Sequence, residues 1–237
     1  MSAPSRQDEG AVKEAGGEPL TGRARIEAHV TRFSAPVDAR VAAPVWEVEG
    51  VDLLLVKAAA ERPFHLFVTS GLSERPMKAP KSQWQHAELC LLLPPAWPLD
   101  FLSGEKTQHA WPVSGLASVA RLPFLQDSWL GFGHSIPNGQ PPAPLGPGTA
   151  LSAWLLIPPV SLPEKFTGLQ TKRQPFVNFW ALVPLHEDEM AFKLKKGTDK
   201  LLALFGRKGI QDILDPGRPS VLVKRSTGGL WRLRGDG

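Results

Sequence analysis

The sequence predicts an α+β domain: a mixed β-sheet with helices packed on it. Three observations carry this. Short apolar runs recur along the chain, each bounded by Gly, Pro, Ser or Asn. Fewer segments show the 3.6-residue apolar period of a helix. The chain also holds 24 prolines in 237 residues, which favours many short elements joined by rigid turns over a helical bundle.

Taken in order, residues 1–22 are polar and Gly-rich and read as a disordered tail, leaving 23–237 as a single domain. In "RARIEAHVTRF", Ile26, Val30 and Phe33 share one helical face, so a short helix is expected over 23–33. Trp46 and Val48 then alternate with charges before the Glu49-Gly50 turn. Val51–Val56 forms a β-like run, "PFHLFVTSGLS" a second strand closed by Ser70-Gly71, and "HAELCLLLPP" a central strand buried on both faces.

"WPVSGLASVARLPF" reads as a helix with Pro112 at its first position and Pro123 at its end. Val113, Leu116, Ala117 and Ala120 form its apolar side. "DSWLGFGHSI" returns to strand, "NGQPPAPLGPG" is a loop, and "ALSAWLLIPP" and "PFVNFWALVPL" are two further strands. "HEDEMAFKLKKG" has acids at its start and lysines at its end, as the helix dipole prefers, with Gly197 closing it. Thr198 is placed to cap a second helix, "DKLLALFGRKG". "DPGRPSVLVKR" and "GLWRLR" end the chain as short strands, or as a loop and one strand. The stretches 91–101 and 155–166 share an apolar strand, a Pro-Pro stop and a later Pro and Phe; two central strands that end alike explain this more simply than a repeat.

No complete catalytic or metal-binding pattern emerges. His186-Glu187-Asp188-Glu189-Met190 begins like a zinc-protease helix, but Met190 stands where the second imidazole is required. "GFGHSIPNG" lacks the third glycine of a dinucleotide fingerprint and leads into a loop. The six histidines are scattered without tight ligand pairs, so neither a metal nor a cofactor is expected. A hydrolase built on His134 and a carboxylate is the weaker alternative: Ser135 falls on the opposite strand face, and Asp127 is seven positions away. Cys90 sits among leucines and reads as a buried thiol, and Arg234-Gly235-Asp236 as a coincidental tripeptide.

The chain opens with no signal-peptide pattern and contains no membrane-length apolar run, so a cytoplasmic setting is expected. From Lys193 to Gly237, eleven Lys/Arg face four Asp/Glu, a balance of +7 in a chain of net charge +4. A solvated basic face explains 193–234 more simply than a nucleic-acid site, because no aromatics interleave with the lysines of 193–200. Eight tryptophans accompany no tyrosine. Trp129, Trp154 and Trp180 read as core, whereas Trp84, Trp97 and Trp111 lie near turns, where a shared exposed face would suit a protein interface.

Five stretches, in this order, resemble the suppressor of fused domain family. They are "FHLFVTSGLSERPMK", "HAELCLLLPPAWP", "ASVARLPFLQDSWLGFGHSIPNGQP", "LLIPPVSLPEKF" and the segment 176–220. Together they span about 50–220. The resemblance implies an α+β protein-binding domain without catalytic activity. Longer animal relatives sequester Gli-type transcription factors by clamping a peptide as an added strand between two lobes. Only the first lobe is matched, so the two-lobed clamp does not carry over. Single-lobe bacterial relatives resemble immunity proteins that neutralise toxins. The expected function is therefore an immunity protein acting by occlusion, with a regulator that sequesters a transcription factor as the alternative. The relatives' peptide docks near the segment corresponding to Trp129–Ile136. The candidate partner-binding residues are therefore Trp129, Gly131, Phe132, Gly133, His134, Pro137 and Asn138.

Overall fold

A computed structural model describes residues 22–223 apart from Lys106 and 172–173. Residues 1–21 of the expected tail, the "GLWRLR" strand, the Arg-Gly-Asp tripeptide and the basic residues after 223 lie outside the described residues, while Gly22 opens α1. The helices are α1 (Gly22–Phe33), α2 (Trp111–Leu125), α3 (Glu187–Lys196) and α4 (Thr198–Lys208). The strands are β1 (Ala39–Val41), β2 (Asp52–Val56), β3 (His65–Ser70), β4 (Ala87–Leu93), β5 (Ser135–Pro137), β6 (Leu151–Ile157), β7 (Gly168–Thr171) and β8 (Gln174–His186).

The strands form one mixed sheet in the order β1-β2-β3-β4-β8-β6-β5. β1 to β4 is an antiparallel meander; β4 then pairs in parallel with β8, Ala87 opposite Asn178 and Cys90 opposite Ala181. The far side of β8 is shared: β7 covers its first half and β6 its second. The two Pro-Pro-terminated strands, β4 and β6, thus flank the same long strand. The α+β class and the mixed sheet are as the sequence predicts.

Period-2 side-chain alternation splits the apolar strands between two faces. Leu53, Leu55, Phe67, Leu89, Leu91, Trp154 and Leu182 face α2 and the long loops. Leu54, Val56, Leu66, Cys90, Leu92 and Phe179 face α1. Further along that second face, Leu155, Val183 and Leu185 meet Leu201 and Phe205 of α4. Apolar burial on both faces explains why the strands read as unbroken hydrophobic runs.

Several elements differ from the sequence reading. β1 has no apolar signature; two of its three residues are exposed. Trp46 and Val48 are buried in irregular backbone between two turns, not in a strand, and the Trp46 indole donates to the Val51 carbonyl at 2.7 Å. Helix α2 runs two residues past Pro123, which lies inside it and is buried. A proline in the last turn removes only its own N–H, and Gln126 still donates to the Leu122 carbonyl. Gly197 (φ 93°), not Thr198, caps α4, and it also ends α3. Residues 215–223 form turns, with no strand.

The largest difference lies at 127–134. This segment is loop, and only Ser135–Pro137 is strand. Its backbone still reaches β6, through Gly133 N–H to Leu156 O at 2.8 Å and Leu156 N–H to His134 O at 2.9 Å. The chain cannot continue as strand because Gly131 to His134 closes a turn (His134 N–H to Gly131 O, 3.1 Å) with Gly133 at φ 76°.

Candidate surface at the β5 edge

The loop 126–139 brings the seven candidate residues to the β5 edge of the sheet. Trp129 is half-buried and stacks on Trp84, with ring centroids 5.3 Å apart and planes 4° from parallel. The His134 ring stands edge-on to Trp129 at 4.3 Å. Lys81 Nζ lies 4.6 Å above the Trp84 ring, close enough for a cation–π contact. The aromatic ladder Trp84–Trp129–His134 is thus assembled from two loops distant in sequence.

The two glycines serve this arrangement. A Cβ on Gly131 would penetrate the Trp129 ring, which folds back over it. A Cβ on Gly133 would meet Thr198 Oγ1 at 2.6 Å, and its backbone is left-handed. Both positions therefore admit the protein's own side chains at close range. Asn138 is likewise occupied locally: its amide donates to the Ala143 and Pro144 carbonyls at 3.2 and 2.7 Å and so closes the following loop. Phe132 (46% exposed) and Pro137 present themselves to solvent. β5 pairs with β6 and is the terminal strand of its side.

His134 is half-buried, and burial lowers its pKa. A hydrogen bond to the Trp129 backbone opposes that shift and the nearby Lys193 charge adds to it. Lys193 is itself lowered by burial and donates to Ser135 Oγ at 3.1 Å. Asp127, the acid nearest in sequence, pairs instead with Lys78 at 2.8 Å. Among the described residues, no carboxylate is hydrogen-bonded to His134.

The other tryptophans divide differently from the sequence expectation. Trp84 joins Trp129. Trp97, Trp111 and Trp154 form a separate chain of ring contacts at 5.9 and 6.0 Å within the α2-side core. Sequence reasoning missed Lys81 and Lys193. Each is one lysine among many, and only the fold sets it beside the ladder.

An eight-stranded mixed sheet with one parallel pairing at its centre, flanked by α2 on one face and α1, α3 and α4 on the other, defines a class of α+β domain. The model of the Suppressor of fused protein (SUFU) family matches residues 47–219, and the chain belongs to that family. A solved suppressor of fused homologue from Neisseria gonorrhoeae is similar over 86% of this chain and 98% of its own, at 16% identity and TM-score 0.62. The corresponding chain in a Sufu–Fu complex is similar over 86% of this chain and 93% of its own, at 17% identity and TM-score 0.61. Drosophila Suppressor of Fused matches over 72% of this chain but 42% of its own length, at 17% identity and TM-score 0.51. No curated protein matches the sequence. Among the described residues, no helix is long and apolar enough to cross a membrane.

Proposed function

We propose that this chain is a non-catalytic, cytoplasmic protein-binding domain that acts as an immunity protein, neutralising a toxin partner by occlusion. The observation that carries the reading is membership of the suppressor of fused family; a relative of the same fold has been crystallised as a Sufu–Fu complex. The surface at the β5 edge supports it further. An exposed phenylalanine, an exposed proline and a sheet edge lie beside a rigid aromatic ladder, the composition of an interface anchor. Within this reading Phe132, Pro137 and the outer part of the Trp129–His134 pair touch the partner. Gly131, Gly133 and Asn138 hold the loop in shape.

The test is co-expression with the product of the neighbouring gene. That product is expected to arrest growth alone, to be tolerated with this chain, and to co-purify with it. Phe132→Asp is expected to weaken capture at least tenfold while leaving the melting temperature unchanged. A neighbouring product that is neither toxic nor bound defeats the immunity reading. Capture of a transcription factor in its place supports the sequestering regulator.

A further inference from the structure

A second site lies between the start of α1 and the turn that follows β3. There a cavity of about 240 Å³ is walled by Arg25 and Ile26 of α1, Ser73 and Glu74 of the turn, His86, and Val177 of β8. Arg25 Nε and Nη2 are both buried, and among the described residues neither has an acceptor. A guanidinium keeps its charge in proteins, so two shielded, unpaired N–H edges are unfavourable unless an acceptor reaches them. Burial lowers the Arg25 pKa.

The remaining polar groups of the cavity have other partners. Glu74 pairs with Arg23 at 3.7 Å. The Ser73 hydroxyl donates to Glu88 at 2.7 Å. His86 Nδ1 donates to the Ser73 carbonyl at 2.7 Å, which leaves Nε2 as the ring's open nitrogen. The cavity therefore contains a cation with an unused two-point donor edge, a second polar nitrogen, and aliphatic walls in Ile26 and Val177.

We propose that this cavity is a carboxylate-binding site, with the Nε–Nη2 edge of Arg25 as its fork and His86 beside it in the wall. A planar carboxylate matches that edge with two parallel hydrogen bonds. The volume falls below the roughly 300 Å³ at which drug-sized ligand pockets begin, so it admits a carboxylate on a short aliphatic stem. Glu74 in the wall disfavours a doubly charged phosphate relative to a monoanion. The carboxylate has two possible sources: a free short-chain acid, or an acidic side chain of another protein.

The full chain is titrated with propionate and, in parallel, with inorganic phosphate, while NMR follows the Arg25 Nε–H and the His86 ring. Propionate is expected to shift both signals saturably, and phosphate to bind at least tenfold more weakly. Arg25→Lys keeps a charge on a long stem but loses the fork, and is expected to weaken propionate at least tenfold. Arg25→Met is expected to abolish the response, and Glu74→Gln to narrow the gap between propionate and phosphate. A short Ala-Glu-Ala peptide and its Ala-Gln-Ala counterpart separate the sources. Tighter binding of the Glu peptide than of propionate assigns the site to a protein ligand, and weaker binding assigns it to a free acid. A non-saturating response in the wild type, or an undiminished one in Arg25→Lys, overturns the proposal. The titration needs no partner protein, so its failure leaves the immunity reading untouched, and the reverse holds too.

Discussion

Glu88 and Glu189 are both fully shielded from solvent, yet opposite means hold them. Glu88, on β4, has only neutral donors. Its Oε2 accepts the Thr69 hydroxyl at 2.6 Å, and its Oε1 accepts the Ser73 hydroxyl at 2.7 Å and the Gly71 and Ser73 N–H groups at 3.0 Å each. Glu189, in the first turn of α3, meets the Arg218 guanidinium through two bonds of 2.7 and 2.6 Å. It also accepts the Val221 N–H at 2.9 Å and the His186 N–H at 3.0 Å. Burial outweighs the four donors at Glu88 and raises its pKa to about 7. The difference teaches what each acid is for. Glu88 pins a turn against the sheet with a charge that depends on pH. Glu189 pins residues 218–221 to α3 through a buried ion pair with Arg218.

The largest expected effect comes from breaking the ion pair. Arg218→Met leaves a buried carboxylate facing no cation, and urea unfolding should show a loss of about 3–5 kcal/mol. Adding Glu189→Leu to that variant should recover part of the loss, but not all. The Val221 and His186 N–H groups lose their acceptor in the double variant.

The pH response should separate the two sites next. The folded Glu88 pKa of about 7 lies above its ordinary 4.5, so the folded state retains a proton that the unfolded state releases. The Glu88 contribution is complete below pH 4.5 and is lost as pH rises to 7, with an amplitude on the order of 3 kcal/mol. The difference between wild-type and Glu88→Gln stabilities, measured from pH 4 to 8, should carry that slope. A flat difference would mean that the donors hold Glu88 ionised throughout.

A smaller effect tests the turn itself. Ser73→Ala removes one hydroxyl donor from Oε1 and should cost about 1 kcal/mol near pH 8, where Glu88 is charged, and less at pH 5. The smallest belongs to the rim of the other site. The Ser220 hydroxyl donates to Asp188 at an exposed position, and Ser220→Ala should change stability by less than about 0.5 kcal/mol. A larger loss there would place the anchoring of this segment outside the Arg218–Glu189 pair.

How much of this was legible in the sequence follows from the physics of each element. The runs around Val51–Val56, "HAELCLLL", "ALSAWLLI" and "FVNFWALV" identified the central strands because burial on two faces leaves little room for polar residues. α3 was legible from its charge order and the Gly197 stop, and α4 from the restart after it, although its cap is Gly197 and not Thr198. β1 was not, because a three-residue edge strand needs no apolar pattern. The 127–134 segment alternated like a strand but turned, since Gly133 takes a left-handed conformation that sequence alternation does not encode. Trp129 and His134 came from the family resemblance, and their neighbours Trp84 and Lys81 from the fold. Glu88 sits in its strand like any other residue, and nothing nearby in sequence announces the three residues that bond it.

The parallel pairing of β4 with β8 bears on how the chain reaches this structure. β4 waits for β8, whose residues emerge only after α2, β5, β6 and β7 have been made, since Ala87 must meet Asn178. Contacts this far apart in sequence close slowly. Until then the β1–β4 meander carries an open strand on its flank, apolar at every position but Glu88, the kind of edge that recruits stray strands from other chains. The moment of greatest aggregation risk in this protein's synthesis should therefore fall between completion of β4 and delivery of β8.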